Sequence, residues 1–290
     1  MEPKGGTVRW RCGTKSTGSE QVQRYLKEPI GVFDSGVGGL SVLKELEREL
    51  PNEHYIYYGD TKNLPYGSKT PEQIIELGKT TVNFFKALGV KNVVMACNTS
   101  SALAYDALRE EFGDIKIFPI IQNVAKDLAQ YEKIGVMATL GTVKSRKYTQ
   151  EILKVNPNAQ VFESACENFV QIVENRQYEQ EKSVEYIKNK LGEVLYLGVK
   201  KIVLGCTHYP YLMPILTKWV PQELFIDPAE IFVQNVVSEI KNSNKPFEGT
   251  AKKEFYVSGD VEDFKKSAMV FRDTIDLEDV RECSTAKALY

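Results

Sequence analysis

The stretch Leu88-Gly89-Val90-Lys91-Asn92-Val93-Val94-Met95-Ala96-Cys97 recurs as Leu197-Gly198-Val199-Lys200-Lys201-Ile202-Val203-Leu204-Gly205-Cys206. At the offset 206 − 97 = 109, six of the ten positions are identical and three more are conservative exchanges. In each copy a Leu-Gly helix-ending signal precedes an apolar run without alternation, which predicts a central strand buried on both faces, as in a parallel sheet. Open α/β sheets present ligands just beyond the carboxyl ends of such strands. Cys97-Asn98-Thr99-Ser100 and Cys206-Thr207-His208-Tyr209 fall there. A single cysteine ending an apolar strand is ordinarily a small buried hydrophobe. The duplication, with polar residues after each thiol, points instead to two thiols facing one cleft from opposite sides.

Outward from this repeat, the two halves begin alike. Ile30-Gly31-Val32-Phe33 predicts a buried strand, then the glycine-rich turn Asp34-Ser35-Gly36-Val37-Gly38-Gly39, then an amphipathic helix over 40–50. Ile134-Gly135-Val136-Met137 echoes that strand and leads through small residues at 138–142 into a helix, and the offset of 109 carries Pro119 onto Pro228. These matches imply two similar α/β lobes. The glycine turn lacks the first-glycine spacing of a dinucleotide fingerprint and suits a carboxylate ligand better than a pyrophosphate. Between the halves come a strand at 55–58 and a loop containing Pro65-Tyr66-Gly67. A helix opened by Thr70-Pro71 follows, then a helix over 101–111 and a strand at 115–119. The second half adds a strand near 161–162, a short helix with Phe169 and Val170, and a long charged helix over 179–197. Residues 242–246 read as a flexible loop before a last strand at 254–257 and a final helix.

A net charge of −2 gives no reason to expect a nucleic-acid or membrane partner. No apolar run approaches the roughly 18 residues that span a bilayer. Five scattered cysteines, Cys12, Cys97, Cys166, Cys206 and Cys283, with no CxxC pair, argue against a disulfide framework and for a reducing cytoplasm. Residues 1–28 are polar, carry no apolar signal core, and are set outside the fold as a disordered extension.

Two acid/base groups on opposite faces of one carbon are what stereochemical inversion requires. A thiolate acts only when a nearby cation, base or helix start favours it. His208 is placed to take the proton of Cys206, and Asp34 that of Cys97 if their strand ends are neighbours. Metal binding by Cys97, Cys206, His208 and Asp34 is disfavoured because they come singly from separate strands. A one-nucleophile hydrolase would need neither the second cysteine nor the second lobe.

These residues resemble those of one family. Phe33-Asp34-Ser35-Gly36-Val37-Gly38-Gly39, Pro65-Tyr66-Gly67, Ala96-Cys97-Asn98-Thr99 and Gly205-Cys206-Thr207-His208-Tyr209-Pro210 are similar, in the same order, to motifs of glutamate racemase, in the cofactor-independent aspartate/glutamate racemase superfamily. The resemblance implies an α/β fold of two similar lobes, each a mostly parallel sheet flanked by helices, with the active site in the cleft between them. It implies conversion of L-glutamate to D-glutamate for peptidoglycan in the cytoplasm, with no pyridoxal phosphate, no metal and a homodimer. Cys97 and Cys206 would be the acid/bases, assisted by Asp34 and His208. Asp34, Ser35, Tyr66, Gly67, Asn98, Thr99, Thr207 and His208 would hold the substrate, and Thr142 and Glu174 are secondary candidates. The first lobe would comprise 29–121 and 231–290, the second 122–230. Glu167 and Gln122-Asn123 depart from the family pattern, so an aspartate racemase is the nearest enzyme alternative and a non-catalytic amino-acid binder the alternative of another class.

Overall fold

The structure is a computed structural model and describes residues 10–12, 28–243, 251–269 and 280–285. In chain order, β1 (Trp10–Cys12), β2 (Ile30–Asp34), α1 (Leu40–Glu49), β3 (Tyr55–Gly59), α2 (Pro71–Ala87), β4 (Asn92–Met95), α3 (Asn98–Leu103), α4 (Tyr105–Glu111) and β5 (Lys116–Pro119) make the first half. Then come α5 (Ile120–Leu128), β6 (Lys133–Ala138), α6 (Leu140–Ser145), α7 (Lys147–Val155), β7 (Gln160–Ala165), α8 (Phe169–Glu174), α9 (Glu181–Tyr196) and β8 (Lys201–Gly205). The chain continues through α10 (Met213–Leu216), β9 (Phe225–Ile226), α11 (Pro228–Ser243), β10 (Lys253–Val257), α12 (Val261–Ala268) and β11 (Val280–Thr285).

The strands form a seven-stranded sheet, ordered β1-β11-β10-β3-β2-β4-β5, and a four-stranded sheet, ordered β7-β6-β8-β9. All pairings are parallel except β1 with β11. The orders β3-β2-β4-β5 and β7-β6-β8-β9 correspond strand for strand, so the sequence repeat is a repeat of topology. In each unit the chain reverses direction between the first and third strands, which opens the ligand crevice of a doubly wound sheet at β2/β4 and at β6/β8.

Local sequence explains these elements. Every residue of β2, β3 and β4 is buried, which is why their apolar runs show no alternation. Thr70 caps α2 in a capping box with Gln73, and Pro71 supplies the first helical position. The Leu-Gly signal before each repeated strand is a left-handed helix end, with Gly89 at φ +76 and Gly198 at φ +68. One apolar core runs from Ile30, Leu43 and Phe232 to Val136, Ile152 and Val203, joining both sheets through the helices between them.

Four expectations need correction. Residues 10–12, set aside with the N-terminal extension, form an edge strand with Cys12 opposite Cys283. Cys283 is disulfide-bonded, whereas Cys97, Cys166 and Cys206 are free. Two cysteines 283 − 12 = 271 residues apart become neighbours only through sheet pairing, which spacing cannot reveal. The helix expected from residue 101 instead starts at Asn98, directly after Cys97, and breaks at Ala104 into α3 and α4. Of the expected loop at 242–246, residues 242 and 243 close α11 and the remainder lies outside the described residues.

Candidate active site

Asp34 ends β2, and Cys97 follows the adjacent β4, so the two strand ends are indeed neighbours. Cys206 follows β8, the partner of β6, whose end leads into Thr139. Both thiols are buried, Cys97 at 3% exposure and Cys206 at 7%.

The two halves are joined at this point by specific bonds. Thr207 Oγ1 donates to Asp34 Oδ1 at 3.2 Å. Tyr148 Oη, from α7, donates to Asn98 Oδ1 at 2.7 Å, and the hydroxyls of Thr99 and Thr139 lie 2.9 Å apart. Thr139 also caps α6 and meets Thr142 Oγ1 at 3.0 Å, placing Thr142 in the same hydroxyl cluster. Gly38 touches the opposite lobe so closely that a Cβ there would stand 2.4 Å from Thr207 Oγ1 and 2.9 Å from His208 Nδ1. Asn98 Nδ2 is buried with no hydrogen-bond partner among the described residues.

The electrostatics of the two thiols differ. Burial pushes the Cys97 thiol up to about 12, and the charge of Asp34 adds to this, against weaker opposing hydrogen bonds from Ser100 and Ser35. Asp34 itself is raised by burial, offset in part by His208 and by hydrogen bonds from Gly36, Gly39 and Thr207. The charge of Asp34 beside Cys97 therefore disfavours the thiolate in the resting site. Cys206 Sγ lies 3.9 Å from His208 Nδ1, and His208 Nε2 lies 2.6 Å from Glu174 Oε1. Burial alone would lower the His208 pKa, but hydrogen bonding to Cys206 and Glu174 and their charges raise it well above its ordinary value. Burial likewise pushes Glu174 up, yet the His208 bond and charge, with the Ser267 hydroxyl, bring it below the usual carboxylate range. The raised pKa of His208 favours its cationic form beside Cys206, and the raised pKa of Cys97 favours its neutral thiol.

Sequence reasoning named both cysteines, Asp34 and His208 but missed Tyr148, and it ranked Glu174 second because α8 offers no motif. Ser35 and Tyr66 also reach this site: Ser35 bonds the Cys97 thiol, and the buried Tyr66 ring belongs to the same core cluster as Cys97 and Phe33. Gln122, the family departure, braces the helix behind Cys97, accepting from Ser101 Oγ at 2.7 Å and donating to Ser101 O at 3.2 Å. Glu167 borders a cavity of about 250 Å³ with Gly67, Ser68, Thr139, Asn168 and Gln171, beside the site. A cavity of about 660 Å³ along Lys91, Arg109 and Lys116 includes neither catalytic candidate cysteine. No group of three or more His, Cys, Asp or Glu side chains placed to hold a metal ion occurs among the described residues, and no helix among them is long and apolar enough to cross a membrane.

Known proteins resemble this chain in sequence and in fold. The Asp/Glu/Hydantoin racemase family model matches residues 30–236. A glutamate racemase of Carboxydothermus hydrogenoformans is 38% identical over 242 residues, covering 83% of this chain and 91% of that protein. Glutamate racemase 2 of Caldanaerobacter subterraneus is 39% identical, covering 86% and 95%. The crystal structure of glutamate racemase from Francisella tularensis in complex with D-glutamate superposes with a TM-score of 0.82 at 30% identity, covering 91% of this chain and 99% of that one. The chain belongs to the Asp/Glu/Hydantoin racemase family, among its glutamate racemases, and is an amino-acid racemase.

Proposed function

We propose that the protein interconverts L- and D-glutamate by two-base proton transfer at the α-carbon, with Cys97 and Cys206 acting from opposite faces. The observation that carries the reading is geometric: two buried cysteines follow equivalent strand ends of the repeated sheet topology, with the end of the Asp34 strand beside Cys97 and His208 Nδ1 3.9 Å from Cys206 Sγ. In one direction the Cys206 thiolate takes the α-proton, leaving the electron pair on the α-carbon and its carboxylate, and the Cys97 thiol delivers its own proton to the other face. The reverse direction starts from the opposite protonation state, so one enantiomer meets each form of the enzyme. His208 stabilises the Cys206 thiolate as a cation, and Asp34 keeps Cys97 protonated until it is called on to donate.

Substrate carboxylates and ammonium are held by Asp34, Ser35, Asn98, Thr99 and Thr207 and by the backbone of Tyr66 and Gly67. The unpartnered Asn98 Nδ2 supports this assignment. On the family resemblance, the D-glutamate serves cytoplasmic peptidoglycan synthesis and the working unit is a homodimer. Incubation with L-glutamate in D₂O without added cofactor tests the reaction: loss of optical rotation with deuterium entering the α-position is expected. Retention of both rotation and the α-proton signal, with glutamate and then with aspartate, would leave an amino-acid binder.

A further inference from the structure

Asp60 is a buried carboxylate, 3% exposed, that the chemistry above does not use. Three side chains donate to it: Tyr66 Oη at 2.5 Å, Asn63 Nδ2 at 2.9 Å and Ser258 Oγ at 2.6 Å. Ser258 arrives from the far end of the chain, in the turn after β10, and is locked there. Its N–H donates to Gly59 O at 3.1 Å, and its Oγ accepts from Lys62 N at 3.1 Å. Next to it, Gly259 N donates to Thr61 Oγ1 at 3.1 Å. The turn after β10 therefore grips residues 59–62 from outside, and Asp60 passes that grip to Tyr66.

Tyr66 is 2% exposed and packs edge-on to Phe33, with ring centroids 6.4 Å apart. The next residue, Gly67, lies against the second lobe, where a Cβ would stand 2.7 Å from Thr139 Cβ. The Tyr66–Ser68 turn is thus pinned on one side by the Asp60 node and on the other by Thr139. Without this bond the buried phenol would lose its partner and the carboxylate one of its three donors, a cost that favours the bonded arrangement.

We infer that Asp60 and Ser258 are positioning residues of the racemase: they fix Tyr66, and through it the backbone of Tyr66 and Gly67, at the place where a substrate carboxylate is taken up. The inference rests on the reading that this turn holds the substrate. Displacement of a binding loop by a fraction of an ångström weakens the ligand without altering the acid/base groups.

Ser258→Ala removes one donor on the outer side of the node, and Ser258→Thr restores it. In Ser258→Ala the KM for L-glutamate is expected to rise about fivefold to twentyfold while kcat stays within about threefold of wild type, with Ser258→Thr recovering most of the loss. Tyr66→Phe is expected to give a similar KM, and the double variant no more than the larger single loss, because one network is being cut twice. Hydrogen exchange reads the turn with no substrate present. The amides of residues 66–69 are expected to exchange about tenfold faster in Ser258→Ala, with β2 and β4 unchanged. Unchanged exchange at 66–69, or additive losses in the double variant, overturns the inference. If the wild-type protein racemises nothing, the functional reading falls, and the exchange experiment still decides whether the node holds the turn.

Discussion

His208 Nε2 lies 2.6 Å from Glu174 Oε1, while the other ring nitrogen faces Cys206 Sγ at 3.9 Å. One imidazole therefore links a carboxylate of α8 to a thiol after β8. The pair sits where lobes meet: Ser267 of α12 bonds Glu174, and Arg176 donates to Lys266 O.

Glu174→Gln is expected to lower kcat about tenfold to a hundredfold and to move the alkaline limb of the pH–rate profile toward lower pH. His208 has a raised folded pKa, so its stabilising contribution is complete below the ordinary value of 6.5 and fades as pH rises through the folded value. Glu174 has a depressed one, so its contribution is present above 4.5 and is lost as pH falls through the folded value. Paired pH–rate and pH–melting curves check both directions; an unmoved alkaline limb in Glu174→Gln would refute the link.

Cys97→Ser and Cys206→Ser are each expected to reduce steady-state racemisation at least about a thousandfold, while each retains some proton abstraction from one enantiomer only. Single-turnover deuterium exchange from separate L- and D-glutamate measures this. Near-normal turnover of either variant in both directions would remove the two-base assignment.

Thiolate absorbance should report on Cys97 directly. With Cys97 pushed up to about 12, the free protein is expected to gain no signal from that residue at neutral pH. Cys97→Ser is therefore expected to leave the neutral-pH absorbance of the free protein unchanged, and a loss of thiolate signal in that variant would show Cys97 to be ionised.

Gly38→Ala should act as a wedge. Its Cβ would fall within 2.4 Å of Thr207 Oγ1 and 2.7 Å of Thr207 Cβ, a backbone-proximal clash across the lobes. A loss of about 1–3 kcal/mol in stability is expected from such overpacking. Because the displaced residues are Thr207 and His208, kcat/KM should fall about a hundredfold even well below the melting temperature. Denaturant unfolding and kinetics on the same preparation separate the two effects.

The duplicated strands, the cleft and both thiols were legible because a buried parallel strand writes its signature in consecutive residues, and the repeat wrote it twice. What stayed hidden depends on contacts far apart in the chain. Asn98 and Tyr148 are separated by 50 residues, His208 and Glu174 by 34, and Asp60 and Ser258 by 198. No local period marks such partners. Asp34 was named as a partner of Cys97 only on the condition that their strand ends are neighbours; that adjacency, the burial of the carboxylate and its engagement by Gly36 and Thr207 come only with the fold. β11 and its partner β1 were missed because three residues, Trp10–Cys12, carry no periodicity and pair with the other end of the protein.

β3 is paired on one side by β2 and on the other by β10, whose first residue, Lys253, comes 253 − 55 = 198 residues after Tyr55. During synthesis, the ribosome delivers β2 to β5 and then all of β6 to β9 before the strand that covers β3 emerges. The four-stranded sheet can close on the growing chain, but Tyr55-Ile56-Tyr57-Tyr58 waits with an open hydrogen-bonding edge until residue 257 is free. A nascent chain stalled before that point presents an aromatic edge of the kind that pairs with other chains, so the vulnerable moment in the life of this protein comes before its first turnover.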